Sequence, residues 1–209
     1  MPHKFIKGIL PHLLYTPDNL QECKHWSLIV FLHGRGERGT DIERVKAWGL
    51  PKRLEQENNF PFIVLSPQCP ETTYWDAQTE PVMTLIDQLI SSHPVDSSRV
   101  FLTGFSMGGL GTWTIAMEHP ERFRAIAPVA AVKPPNLDKV DVLKEMPVWA
   151  FHGDKDGAVP IGHTEEMVKI LRDKGSEKVK FTVFEGEQHV EAADLAYDMD
   201  ELYQWMLSQ

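Results

Sequence analysis

The chain has 209 residues, with 21 Lys and Arg against 30 Asp and Glu, for a net charge of −9 with histidine neutral. Apolar residues at 42% and charged residues at 24% are ordinary globular usage, which argues against wholesale disorder, and the length suits one domain over 1–209. A chain of this size buries about 70% of its unfolded surface with no disulfide or metal staple. The acidic balance argues against a binder of nucleic-acid phosphates, and the absence of any run of ~18 apolar residues argues against a membrane span.

The opening Met1-Pro2-His3-Lys4-Phe5-Ile6 leads into no apolar stretch of the kind a secretory signal needs. Cys23 and Cys69 are far apart, with no Cys-x-x-Cys and no histidine spaced for zinc, so no metal site is expected. Two reduced thiols in a cytoplasmic protein is the plain expectation.

In chain order, short β-branched or aromatic runs alternate with amphipathic stretches. Strands are expected over 13–16, 27–33, 62–66, 100–103, 125–130, 148–152 and 180–184. Leu28-Ile29-Val30-Phe31-Leu32 and Pro147-Val148-Trp149-Ala150-Phe151 are nearly continuous apolar runs, as in strands of a parallel sheet covered on both faces. Helices are expected over 41–57, capped by Asp41 and burying Val45, Trp48 and Leu54, and over 80–91 and 107–118. The third stops before His119-Pro120, since a residue preceding proline disfavours helix. A fourth helix spans 162–174 and ends at Gly175. The last spans 191–206 and buries Leu195 and Leu202. Strand–helix alternation throughout predicts a mostly parallel α/β sheet of about seven strands with helices on both faces.

Thr103-Gly104-Phe105-Ser106-Met107-Gly108-Gly109 carries the most chemistry. It follows the apolar strand at Val100-Phe101-Leu102 and opens a helix, the strand–sharp turn–helix context of G-x-S-x-G. Such a turn pushes the Ser106 hydroxyl outward, and Gly104 and Gly108 have no Cβ to clash where strand and helix approach. The helix start aims amides at the site, favouring a developing negative charge. A second glycine-rich turn, His33-Gly34-Arg35-Gly36-Glu37-Arg38-Gly39, follows the most apolar strand. The backbone amides of Arg35 and Met107 are therefore the expected oxyanion donors. Gly34-x-Gly36-x-x-Gly39 matches dinucleotide spacing, but no acidic ribose ligand follows, and no phosphate loop with G-K-[ST] is present.

A serine hydroxyl needs a positioned base. Among nine histidines, His189 stands in the loop between the last strand and the last helix, where the base belongs when the order is serine, acid, histidine. His152 ends a strand and reads as a supporting residue, and His163 opens a helix. The acid lies in Gly153-Asp154-Lys155-Asp156-Gly157-Ala158-Val159-Pro160. One aspartate orients the histidine and the other caps local amides. Residue physics does not choose between Asp154 and Asp156.

Leu32-His33-Gly34-x-Gly36, Gly104-Phe105-Ser106-Met107-Gly108, His152-Gly153-Asp154-x-Asp156-x-x-Val159-Pro160 and the late His189 together resemble the α/β-hydrolase superfamily. More narrowly, they resemble its phospholipase/carboxylesterase family, which includes acyl-protein thioesterases and dienelactone-hydrolase-like enzymes. The resemblance covers nearly the whole chain and implies a three-layer α/β-hydrolase fold with Asp156 as triad acid and Asp154 in support. Met107 stands where acyl-protein thioesterases carry Gln. The Arg-Gly-Glu-Arg-Gly loop is closer to esterases and predicted peptidases related to polyhydroxybutyrate depolymerases and feruloyl esterases. The resemblance implies a serine carboxylesterase that needs no cofactor or metal. A thioesterase or peptidase on the same triad, and a non-catalytic binding protein of this fold, are the alternatives.

Only about sixteen residues separate the strand ending near Ala130 from the next, too few for a large cap domain. An open site favours short- to medium-chain or aryl esters. Trp75, on a loop after a strand, is expected to wall the substrate pocket with Met107 and Val159. The expected partner is a small-molecule ester, with no nucleic acid or membrane, for a monomer or homodimer.

Overall fold

The computed structural model describes residues 3–22, 25–57 and 59–209. Eight strands form one sheet: β1 (His3–Ile6), β2 (His12–Tyr15), β3 (Trp26–Leu32), β4 (Ile63–Pro67), β5 (Val95–Phe105), β6 (Ala125–Val129), β7 (Val148–Gly153) and β8 (Val179–Phe184). Their order is β1-β2-β4-β3-β5-β6-β7-β8. The pairs β1–β2 and β2–β4 are antiparallel, and every pair from β4 to β8 is parallel.

All seven residues of β3 are buried, because the strand is covered on both faces. Leu28, Val30 and Leu32 join the core beneath α2 (Thr79–Ser92), α3 (Met107–Glu118) and α4 (Gly162–Asp173). Ile29 and Phe31 enter the opposite core, with Leu50 and Leu54 of α1 (Gly49–Leu54), Tyr197 of α5 (His189–Asp198) and Met206 of α6 (Asp200–Ser208). The result is three layers. Because β4 lies on one side of β3 and β5 on the other, the direction of winding reverses between β3 and β5. The crevice at the carboxyl ends of those strands is where open α/β sheets place ligands.

The sheet has one strand more than expected. β1 is a four-residue edge strand with Lys4 and Phe5 exposed, so it carries no apolar run to announce it. The strand expected over 100–103 extends to Val95–Phe105. The helix expected over 41–57 is two pieces, a 3-10 turn Ile42–Lys46 and α1. Asp41 caps the first piece as expected, accepting from the Glu43 amide at 3.2 Å. Trp48 is extended (φ −144°, ψ 159°) and Gly49 turns left-handed (φ 68°), which breaks the helix. A Cβ on Gly49 would stand 3.0 Å from the rings of Phe31 and Tyr197, so the chain here passes too close to the core for a side chain. Trp48 is consequently exposed, with the Lys52 ammonium 5.2 Å from its ring centre. The helix expected over 191–206 divides at Met199, which is extended (ψ 115°). That break turns Leu195 outward while Leu202 stays buried.

Between β6 and β7 the chain makes a loop with a single 3-10 turn, Val140–Leu143, and no inserted domain. Cys69 is a buried free thiol, whereas Cys23 lies outside the described residues. Among the described residues, no helix is long and apolar enough to cross a membrane, and no group of three or more His, Cys, Asp or Glu could hold a metal.

Helix α3 is pressed against β3. A Cβ on Gly108 would lie 1.8 Å from the Leu32 carbonyl oxygen, and one on Gly104 would lie 2.3 Å from the Gly108 carbonyl oxygen. Gly162, at the start of α4, has open space at the same position. Gly108→Ala is expected to cost about 3 kcal/mol of unfolding free energy, since neither backbone can yield. Gly162→Ala should change stability by less than about 0.5 kcal/mol. Denaturant unfolding of the two variants beside the parent protein checks the contrast.

Candidate active site

The turn after β5 holds Ser106 at φ 58°, ψ −112°. This is a region that L-residues avoid, at a cost of about 1–3 kcal/mol. The Ser106 amide donates to the Val129 carbonyl at 2.9 Å, tying the turn to the end of β6. The glycine contacts just described hold helix and strand at the separation that forces this angle.

His189 is the first residue of α5. Its Nε2 meets Ser106 Oγ at 2.8 Å and its Nδ1 meets Asp156 Oδ2 at 2.6 Å. The carboxylate only accepts, so Nδ1–H donates to Asp156 and Nε2 accepts from the Ser106 hydroxyl. The imidazole lies against the Phe105 ring, with centres 4.7 Å apart. Ser106, His189 and Asp156 thus form one hydrogen-bonded chain.

The Asp156 side chain is fully buried and amply supplied with donors. Its Oδ1 accepts from the amides of Ala158 at 2.9 Å and Val159 at 2.8 Å. Its Oδ2 accepts from His189 and also lies 3.2 Å from His152 Nε2. His152 is itself fully buried, and its Nε2–H faces the Val159 carbonyl at 2.9 Å as well. Its Nδ1 is 2.7 Å from the Thr164 hydroxyl, which must donate to it. Burial lowers the His152 pKa and keeps the ring neutral, a donor without a charge.

Asp154 has a different task. Its Oδ1 accepts from the Gly186 amide at 2.6 Å, and that contact, followed by the one to Lys155, holds its carboxyl below the usual range. The amides of Asp154 and Lys155 donate to the carbonyls of Phe184 and Glu187 at 3.2 and 3.0 Å. A Cβ on Gly153 would come within 2.3 Å of the Glu187 carbonyl oxygen. The Asp156 loop after β7 and the His189 loop after β8 are therefore laced together.

Arg35 opens a 3-10 turn, Arg35–Glu37, and Met107 opens α3. Amides at such starts have no acceptor within their own helix. Gly34 lies against the Phe105 ring, 3.3 Å from where its Cβ would be, which sets the Arg35 turn beside the serine turn. Several contacts fix this loop, and sequence reasoning did not find them. Cys69 donates its amide to His33 Nε2 at 3.0 Å, and His33 Nδ1–H donates to the Gly34 carbonyl at 2.6 Å. Gln68 Nε2 donates to the Glu37 carbonyl at 2.9 Å and the Asp41 carbonyl at 2.7 Å. Arg38 reaches the Thr73 carbonyl at 3.0 Å. These partners are polar residues on separate loops, and no spacing along the chain links them.

Two residues expected to wall the pocket are placed otherwise. Trp75 is 1% exposed; its indole N–H donates to the His33 carbonyl at 2.9 Å and its side chain packs on Gly111. It is a strut beneath the Arg35 loop rather than a pocket wall. Val159 is also buried and acts through its backbone, donating to Asp156 and accepting from His152. His163 holds the loop after β6, its Nδ1 accepting from the Lys133 amide at 3.2 Å.

A serine on the sharp turn between the central strand and its helix, hydrogen-bonded to a histidine and an aspartate on the loops after β8 and β7, is the arrangement of the α/β-hydrolase fold. Residues 60–205 match the family described as phospholipase/carboxylesterase, and the chain belongs to that family. A bifunctional acetylxylan esterase/xylanase of Neocallimastix patriciarum is 26% identical over 166 residues, which are 77% of this chain and 23% of that protein. Feruloyl esterase B of Thermothelomyces thermophilus is 29% identical over 132 residues, 57% of this chain and 43% of the other. A solved thermostable esterase superposes with a TM-score of 0.82 at 29% identity, covering 99% of this chain and 62% of that one. The chain spans less than two thirds of the length of each of these relatives.

His33 supplies a pH prediction. Burial lowers its pKa from 6.5 to about 4, and burial likewise lowers those of His3, His12 and His152. The unfolded chain therefore binds more protons than the folded one between those values. Stability is complete above about pH 6.5 and is lost as the pH falls toward 4. Urea midpoints should fall across that window, and less so in His33→Gln. A midpoint constant down to pH 4.5 would contradict the assignment of neutral buried histidines.

Proposed function

We propose that this protein is a carboxylic ester hydrolase working through a serine acyl-enzyme. The observation that carries the reading is the continuous chain Ser106 Oγ, His189 Nε2, His189 Nδ1, Asp156 Oδ2, with links of 2.8 and 2.6 Å. His189 removes the Ser106 proton as Oγ attacks the ester carbonyl, and Asp156 holds the imidazole in the required tautomer and stabilises the imidazolium. The amides of Arg35 and Met107 stabilise the oxyanion; loss of one such donor costs about 3–4 kcal/mol. His189 then protonates the departing alkoxide, and a water activated by the same ring releases the acid and restores Ser106. The esterase relatives support this choice of bond.

The short, uncapped connection between β6 and β7 leaves the site open, which favours short- to medium-chain and aryl esters over bulk lipid. The test is hydrolysis of 4-nitrophenyl esters of graded acyl length, run beside a thioester and an amide of the same acyl group. Ser106→Ala is expected to lower kcat at least about a thousandfold. Asp156→Asn should lower it by about 10⁴, because the histidine tautomer is lost, while Asp154→Asn, which braces a loop, should cost about tenfold or less. Equal losses for the two aspartates would contradict this division of roles, and a larger loss in Asp154→Asn would reverse it. Rates rising steadily to long acyl chains would contradict the open site, and a preference for the thioester or amide would replace the ester.

A further inference from the structure

Helix α3 is buried along most of its length. Its residues that are not buried are Leu110, Thr114 and Glu118, spaced by four and so aligned in one stripe. That stripe lines a groove of about 450 Å³, together with Met117 of the same helix, Asp76 after β4, and the loop after β6 from Pro134 to Lys139. The groove starts one helical turn from the nucleophile, since the Leu110 amide donates to the Ser106 carbonyl at 3.1 Å. Nothing in the reaction described above uses it.

Both walls are fixed. Asp76 follows Trp75, whose indole is bonded to the His33 carbonyl at the base of the Arg35 loop. The opposite wall is stiffened by Pro134 and Pro135 and tied to α4, through the Lys133 amide on His163 and the Lys133 ammonium on Glu166 at 2.6 Å. Such a volume suits a drug-sized or one- to two-ring group. Leu110, Met117 and the prolines offer C–H surface, while Asp76, Glu118 and Asp138 offer carboxylate acceptors against the single ammonium of Lys139. Carboxylate acceptors match hydroxyl donors and oppose an anion.

We propose that this groove is the alcohol subsite, and that it takes a neutral, polyhydroxylated alcohol such as a glycoside or polyol. A group that keeps several hydroxyls after one is acylated is the alcohol half of the ester, which sets the direction of binding. The inference rests on the esterase reading and names its substrate class.

The test compares, at constant acetyl group, a mono-acetylated methyl pentoside, its uronate analogue and 4-nitrophenyl acetate. The parent protein should prefer the neutral pentoside to the uronate. Leu110→Trp, which fills the upper groove, should raise KM for the acetyl pentoside about tenfold and leave kcat for that ester within about twofold. Glu118→Lys, a change at an exposed position, should lower the neutral-to-anionic ratio of kcat/KM about fivefold or more. Thermal unfolding of both variants confirms folding, and Glu118→Lys carries the test if Leu110→Trp does not fold. A loss in Leu110→Trp that falls on kcat rather than KM, or an unchanged ratio in Glu118→Lys, would overturn the subsite while leaving the esterase reading intact. A folded parent protein inactive on every ester would overturn both.

Discussion

The close approach of α3 to the ends of β3 and β5 is the constraint on which the site depends. The Leu32 and Gly108 backbones meet where no Cβ could fit, and Ser106 is consequently held at positive φ at the end of the longest strand. Strain at this residue is offset by the packing on both sides, including Trp113 and Ile115 in the core beneath the sheet. The same approach puts the amino end of α3 next to the turn that follows β3. Serine, the Met107 amide and the Arg35 turn are thus products of a single packing event.

A second constraint is electrostatic. A carboxylate removed from water is costly unless its lone pairs are filled. Asp156 solves this with two backbone amides, the His189 ring and a neutral His152. Because His152 carries no charge, it adds a donor without drawing Asp156 into an ion pair that would compete with His189. Thr164 fixes the His152 tautomer from α4, so an element that touches neither Ser106 nor His189 still sets the environment of Asp156.

Much of this was legible in the residues. Buried parallel strands announce themselves as unbroken apolar runs, and the β3 and β7 segments did so. The serine turn was legible because its chemistry, its glycines and its position between strand and helix are adjacent in sequence. What failed to show was set by tertiary contact. Trp48 and Leu195 fit a helical stripe, but Gly49 and Met199 break the helices because the chain must bend around Phe31 and Tyr197 or restart at Asp200. Trp75 reads from its neighbours as a rim aromatic because nothing local reveals that its indole finds a carbonyl 42 positions away. The choice between Asp154 and Asp156 was likewise beyond residue physics; the family resemblance pointed to Asp156, and the fold puts only that one within reach of His189.

The most direct test of the account is covalent labelling with a fluorophosphonate, followed by mass analysis of the modified peptide. A nucleophile assembled as described should be modified at Ser106, and the adduct should vanish in a folded His189→Ala protein. Label on another residue, or no label on the folded parent protein, would contradict the claim that Ser106 and His189 form a working pair.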